Sequence, residues 1–241
     1  MTASAATRTS TLRSMKSKHA EYFNHDENAS GYDRDVSNED DPIRTGYKAL
    51  LEWVAEMARI NSQSRVLELG SGTGNLTGRL PDCEELVCVD ISERMEDLAK
   101  QKVSRFRNRR FIKEDILQIF DRPIGVFDVI LSTYTVHHLT DAEKKQFFGE
   151  VFRHLTENGR AVFGDLMLET RDSKESKIAE YRAKGDGSTA DAIEEEFFWF
   201  VDETSAALEE VGLTVSIKRF SDLSFGILCE KGDANKSMPA T

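Results

Sequence analysis

Cysteine is scarce in this chain. Cys83, Cys88 and Cys229 are the three among 241 residues, and they form no C-x-x-C pair. An odd number without pairing suits a reducing compartment better than a disulfide framework, so thiols of the core or surface in a cytoplasmic protein are expected. Long apolar runs are missing too: nothing approaches the roughly 20 residues that a membrane helix requires. Positive charge is in deficit, with 32 Lys and Arg against 43 Asp and Glu, a net charge of -11. A surface of that sign repels phosphate backbones at long range, which makes nucleic acid a poor default partner. The G-x-x-x-x-G-K-[ST] loop is absent as well, and nucleotide hydrolysis has no support.

What is present suffices for one α/β domain, since 39% hydrophobic residues can fill a single core. Residues 1–20 contain no acid and are rich in Ser, Thr, Arg and Lys, a composition shared with organelle transit peptides. Leu12 and Met15 give them little amphipathic face, so a disordered tail is expected there, and residues 232–241 read as a flexible terminus.

The stretch Arg65 to Asp90 carries the densest signal. Val66, Leu67 and Leu69 form an apolar run of the kind buried on both faces of a parallel sheet. Gly70, Gly72 and Gly74 follow, where the chain can turn sharply and bring backbone N–H groups close to a ligand at the start of a helix. A second apolar run, Leu86 to Val89, ends in Asp90, where a nucleoside-binding βαβ unit places a carboxylate for ribose hydroxyls. The dinucleotide fingerprint G-x-G-x-x-G needs glycine at 75, and Asn75 is there. Glu68, just before the turn, would repel a pyrophosphate and suit an ammonium or sulfonium.

With Glu68, Gly70, Gly72 and Gly74 in place, the stretch resembles the E/D-x-G-x-G-x-G motif of the class I S-adenosylmethionine-dependent methyltransferases. The resemblance spans about residues 20–230 and implies a Rossmann-like seven-stranded sheet of order 3-2-1-4-5-7-6, helices on both faces, in one domain over 21–231. It implies S-adenosyl-L-methionine as cofactor and S-adenosyl-L-homocysteine as product. Glu68 and the turn Gly70, Ser71, Gly72, Thr73 are then expected at the methionine moiety, Asp90 at the ribose, Asp115 with Ile116 at the adenine, and Asn75, Ile91, Met95, Ser132 and Thr133 elsewhere against the cofactor. Upstream, Phe23-Asn24 and Ala29 to Asp33 resemble the F-D-x-x-A-x-x-Y-D box of small-molecule enzymes, stretched by an insertion, with Tyr32 and then Tyr22 as the ring covering the cofactor.

In chain order, Asp41-Pro42 is expected to start a helix with Ile43, Tyr47, Leu50, Leu51, Val54 and Ala58 on its apolar face. Ser92 caps the helix after Asp90, and the basic run Arg105 to Arg110 reads as a solvated face leading into a strand. Phe127 to Ser132 is the fourth buried strand. Ser132, Thr133 and the loop through His137-His138-Leu139 resemble the S-x-x-x-x-H-H-L loop of small-molecule enzymes, and no N/D-P-P-Y sequence of DNA or protein-glutamine enzymes is present. Thr140-x-x-Glu143 is a capping box for a helix closed at Asn158-Gly159. Asp165, after the strand Arg160 to Phe163, either holds a polar acceptor or caps a turn. Residues 171–200 read as two short helices forming a lid, broken at Gly185-Asp186-Gly187 and ending in Phe197-Phe198-Trp199-Phe200, which cannot all face one side of a helix. Asp202 caps a last helix before two alternating strands around Leu213 to Ile217 and Phe225 to Cys229.

These signals converge on methyl transfer to a small-molecule acceptor through an O, N or S nucleophile. His137 or His138 is the expected base if one is needed, His137 lying nearer the strand end. No metal is expected, because two His at i, i+1 point apart and no third ligand has a fixed spacing to them. The alternatives are a non-catalytic regulatory protein binding the same cofactor, a nicotinamide oxidoreductase disfavoured by Glu68 and Asn75, and a protein or RNA methyltransferase disfavoured by acidity and by the loop. Oligomeric state is not readable from the sequence.

Overall fold

The computed structural model describes residues 16–19 and 29–232; the expectations for Tyr22, Phe23, residues 1–15 and residues 233–241 lie outside the described residues. Four parallel strands form where they were expected: β1 (Arg65–Leu69), β2 (Glu85–Asp90), β3 (Arg109–Lys113) and β4 (Phe127–Thr133). Side chains alternate across β1 and β2, so Leu67, Leu69, Val87 and Val89 enter one apolar cluster, while Val66, Leu86 and Cys88 enter the other. Burial on both faces is why these strands read as apolar runs, interrupted in β1 by Glu68 alone.

β5 (Leu155–Leu168) pairs parallel with β4, and the antiparallel hairpin β7 (Leu213–Arg219) and β8 (Ser224–Lys231) completes the sheet in the order β3-β2-β1-β4-β5-β8-β7. This is the expected path. The last two numbers rise by one because a two-residue strand, β6 (Trp199–Phe200), pairs with the end of β5 at Met167 and Leu168. β6 resolves the aromatic run by strand alternation: Trp199 joins one core, and Phe198 and Phe200 join the other.

Helices α1 (Ala29–Val36), α2 (Tyr47–Met57), α3 (Glu93–Lys102), α4 (Asp141–His154), α5 (Ser173–Ala183), α6 (Gly187–Glu195) and α7 (Val201–Glu210) complete the fold. Among the described residues no helix is long and apolar enough to cross a membrane. Two caps stand as read: Ser92 Oγ accepts from Met95 N at 3.1 Å, and Thr140 and Glu143 form the reciprocal capping box of α4.

Four local readings are corrected. The glycine turn leads into one 3₁₀ turn, Thr77–Arg79, in place of a full helix, because Leu80 stands before Pro81 and takes an extended conformation. α2 begins at Tyr47 and not at Pro42, since Gly46 has φ +83°, and Asp41 Oδ1 closes a local turn on Ile43 N at 3.0 Å. α4 ends at His154 and passes directly into β5, which leaves Asn158, with φ +64°, to turn the chain inside that strand. Asp202 sits in the first turn of α7, whose N-cap is Phe200, and a carboxylate there still complements the helix dipole.

Candidate functional site

The C-terminal ends of β1, β2, β3 and β4 surround a cleft, to which Gly70, Asp90, Asp115 and Thr133 each contribute. Gly70 opens it. Its φ is +71°, and a Cβ there would stand 2.1 Å from Thr135 Oγ1, so no other residue fits between β1 and the loop after β4. Gly70 N and Ser71 N both donate to Val89 O, at 2.8 and 3.0 Å, which ties the turn to the end of β2. Gly72 N donates to Asp90 Oδ2 at 2.7 Å, and Ser92 N donates to Asp90 Oδ1 at 2.9 Å. The carboxylate is thereby fixed in the wall.

Ten of the expected site residues line this cleft: Tyr32, Gly70, Gly72, Asp90, Ile91, Met95, Asp115, Ile116, Thr133 and His138. The others support it from behind. Ser132 Oγ donates to Leu69 O at 2.7 Å and joins the ends of β4 and β1. Thr73 and Asn75 both donate to Asp33 Oδ1, at 2.5 and 3.0 Å, and Lys102 Nζ donates to Asp33 Oδ2 at 2.5 Å. Burial alone would raise the Asp33 carboxyl, but the bonds from Lys102, Thr73 and Asn75 outweigh it and hold it below the usual range. This anchor seats α1 on the glycine turn with the neighbouring Tyr32 at the cleft. Ser71 is buried in the turn outside the lining.

Glu68 is also outside the lining, 1% exposed beneath the turn, where its Oε2 accepts from Thr77 Oγ1 at 2.7 Å. Burial pushes its carboxyl up to about 8 against the partial relief from Thr77. In this arrangement Glu68 is a neutral acid at pH 7. The charge that the sequence reading gave it is not displayed to the cleft.

The histidine loop is built differently from expectation. His137 is 4% exposed and outside the lining, with Nδ1 against Asp165 Oδ1, while its backbone N donates to Asp165 Oδ2 at 3.1 Å. Its Nε2 lies 2.9 Å from Glu196 Oε2, contributed by the residue after α6. Burial lowers the imidazole, but the Asp165 and Glu196 carboxylates more than reverse this and bring it up to about 9. A protonated His137 has no lone pair to take a proton. Asp165, 2% exposed and also outside the lining, is occupied by His137 and by Leu166 N at 2.8 Å.

Several lining residues carried no separate sequence signal. Tyr134 has φ +49°, an uncommon conformation for a ring-bearing residue, held by its N–H to Gly164 O at 2.8 Å and by its hydroxyl 3.2 Å from Ser224 Oγ. Thr135 and Leu139 belong to the same loop, and Ser92 and Glu114 adjoin residues already singled out. Ser17 is the surprise. It comes from the segment read as tail, yet its N–H donates to Asp115 Oδ1 at 3.2 Å and its hydroxyl donates to Asp115 Oδ2. Lys18 N donates to Glu143 Oε1 at 2.6 Å and His19 stacks on Phe197 at 5.0 Å, so residues 17–19 bridge the rim of the cleft to the insertion.

Known proteins are similar to this chain in sequence and in fold. Residues 66–159 match the family model of a methyltransferase domain. A methyltransferase of Oceanobacillus iheyensis is 34% identical over 204 residues, 83% of this chain and 92% of that protein. One of Anoxybacillus flavithermus is 35% identical over 193 residues, 78% and 87% of the two chains. Among solved structures, the N-methyltransferase NodS of Bradyrhizobium japonicum in complex with S-adenosyl-l-homocysteine aligns with TM-score 0.57 at 19% identity, covering 84% of this chain and 97% of NodS. The DhpI complex with the same product aligns at TM-score 0.60 and 19% identity, covering 89% and 95%. Sequence kinship over most of both chains, the sheet order and the glycine turn between β1 and β2 agree: the chain belongs to the class I S-adenosylmethionine-dependent methyltransferases.

Proposed function

We propose that the cleft binds S-adenosylmethionine along the ends of β1 to β4 and passes its methyl group to a small-molecule acceptor. The observation that carries this reading is the pairing of Asp90 and Asp115 across a cleft whose other walls include Ile91, Met95 and Ile116. That is the mixture an adenosine presents: hydroxyls and an exocyclic amine around an apolar ring. Asp90 would hold the ribose hydroxyls, Asp115 the adenine amine, Ile116 and Met95 the ring faces, and the Gly70 to Gly74 backbone the methionine end, above Glu68. S-adenosylmethionine supplies a methyl on a sulfonium, which an acceptor lone pair takes as the C–S bond breaks and a neutral thioether leaves.

The chain's own part is to align the reactants and to exclude water. Tyr134, Thr135 and His138 form the wall at the loop after β4, where the acceptor enters. His137 and Asp165 act as positioning residues, holding that loop from inside the core. Of the two histidines, His138 is the one in the wall and therefore the one placed to receive an acceptor proton. The insertion α5–α6 would close over the acceptor. The net charge of -11 favours a small acceptor over nucleic acid.

Calorimetry with S-adenosylmethionine, S-adenosylhomocysteine and NAD tests the cofactor reading. Binding of the first two and not the third is expected; tight NAD binding with neither of the others would overturn it. Incubation with methyl-labelled cofactor and a metabolite extract, followed by mass spectrometry, identifies the acceptor, and labelling confined to protein or RNA would overturn the small-molecule reading.

A further inference from the structure

We propose that His137, His138 and Glu196 bind a divalent metal ion of the zinc class at the acceptor end of the cleft. The three side chains each offer one donor atom, and these atoms all lie within 4.8 Å of one another. Glu196 Oε2 stands 2.9 Å from His137 Nε2 and 3.7 Å from His138 Nδ1. Zinc bonds of roughly 2.0–2.2 Å in tetrahedral geometry set neighbouring donors about 3.3–3.6 Å apart, a range that lies between those two separations. Two imidazoles and one carboxylate are a zinc donor set that leaves a fourth position open. The sequence reading found no third ligand at a fixed spacing to the two histidines. The fold supplies it from the far end of the insertion.

The surroundings of His137 strengthen the assignment. Its second nitrogen, Nδ1, faces Asp165 Oδ1, and Asp165 is itself held by two backbone N–H groups. A buried carboxylate behind a histidine is the arrangement that fixes the tautomer and orientation of a metal-bound imidazole. Two carboxylates facing one buried imidazole also call for positive charge between His137 and Glu196, and a metal ion supplies it in place of a proton. The donors come from the 3₁₀ turn Val136–His138 and from the residue after α6, so the ion would pin the insertion to the loop after β4.

His138 is also part of the cleft wall, which puts the open position within reach of an acceptor. Coordination there lowers the pKa of a hydroxyl or thiol; with His138 engaged by the ion, the acceptor proton passes to solvent in place of His138 before the lone pair takes the methyl. This catalytic use rests on the methyl-transfer reading; binding of the ion does not.

The test uses the full chain, stripped with a chelator, dialysed and titrated with cobalt(II) and zinc(II). One cobalt per chain with visible d–d bands of a four-coordinate site is expected, displaced by one equivalent of zinc. Glu196→Gln and His138→Ala should lose the bands, and Asp165→Asn should weaken binding by 10–100-fold with the bands retained at saturation. Circular dichroism and S-adenosylmethionine calorimetry on Glu196→Gln establish that the variant is folded. No uptake by the wild type, or equal uptake by wild type and folded Glu196→Gln, would overturn the metal site. Metal uptake without any S-adenosylmethionine binding would leave the site standing and remove the methyl-transfer reading instead.

Discussion

Glu68→Gln isolates the energetics of a buried acid beneath the glycine turn. The carboxyl titrates at about 8 in the folded chain against a reference of 4.5. Between those values the folded state keeps a proton that the unfolded chain has released. Stability is therefore full below pH 4.5 and falls as pH rises to about 8, the reverse of a salt-bridged carboxylate. The full loss is roughly 5 kcal/mol at about 1.4 kcal/mol per unit, and about 3 kcal/mol of it is already incurred at pH 7. Glutamine cannot ionise, and its Oε1 can still accept from Thr77 Oγ1, so the variant escapes the pH-dependent part. Its amide adds an offset that does not vary with pH. Urea unfolding of both proteins at pH 5, 6, 7 and 8 gives the difference in which all other titrating groups cancel. The variant's relative stability should climb by about 3–4 kcal/mol across that range. A difference flat with pH would mean that Glu68 is ionised in the folded protein, and the assignment of a neutral acid would be wrong.

Asp90→Ala should weaken S-adenosylmethionine binding by about 1.5–3 kcal/mol for each charged bond lost, read by calorimetry, with Asp90→Asn recovering part; unchanged affinity would remove Asp90 from the site. Gly164→Ala places a Cβ 2.1 Å from Leu50 Cδ2, where α2 crosses β5, and should cost about 1–3 kcal/mol by urea midpoint; a neutral result would mean α2 shifts freely. Hydrogen exchange in α5 should be fast without ligand and slow with it, because Tyr181 is its one buried residue, whereas strong protection in both states would mark a rigid insertion.

The legible parts of this protein were those set by local chemistry. β1 and β2 were readable because burial on both faces makes them apolar apart from the buried Glu68, and Gly70 because its φ and its contact with Thr135 admit glycine alone. The caps at Ser92 and Thr140 involve partners three residues away, so their spacing is enough. Where two local signals competed, the one with the harder constraint prevailed, as Pro81 did over the helix after the turn. The site was half legible. Asp90, Asp115, Tyr32 and His138 reached the cleft, but the neutral state of Glu68 follows from its depth in the core, and the state of His137 from Glu196 on a distant segment. Ser17 on Asp115 arises the same way. Pairings made only by tertiary closure leave no periodicity to read.

The position of β8 has a consequence for how the chain comes off the ribosome. β8 is the last strand described, yet it lies inside the sheet, paired with β5 along Arg160 to Leu166 and with β7 on its other side. Until Ser224 to Lys231 have emerged, β5 presents an open, largely apolar edge with the whole insertion already synthesised behind it. Such an edge is a template for pairing with another copy, and every second of translation spent on the roughly 55 residues between the two strands, at ≈ 5–20 residues/s, extends that exposure. Expression conditions that slow elongation between β5 and β8, or nonsense lesions before Ser224, should therefore divert this protein toward aggregates.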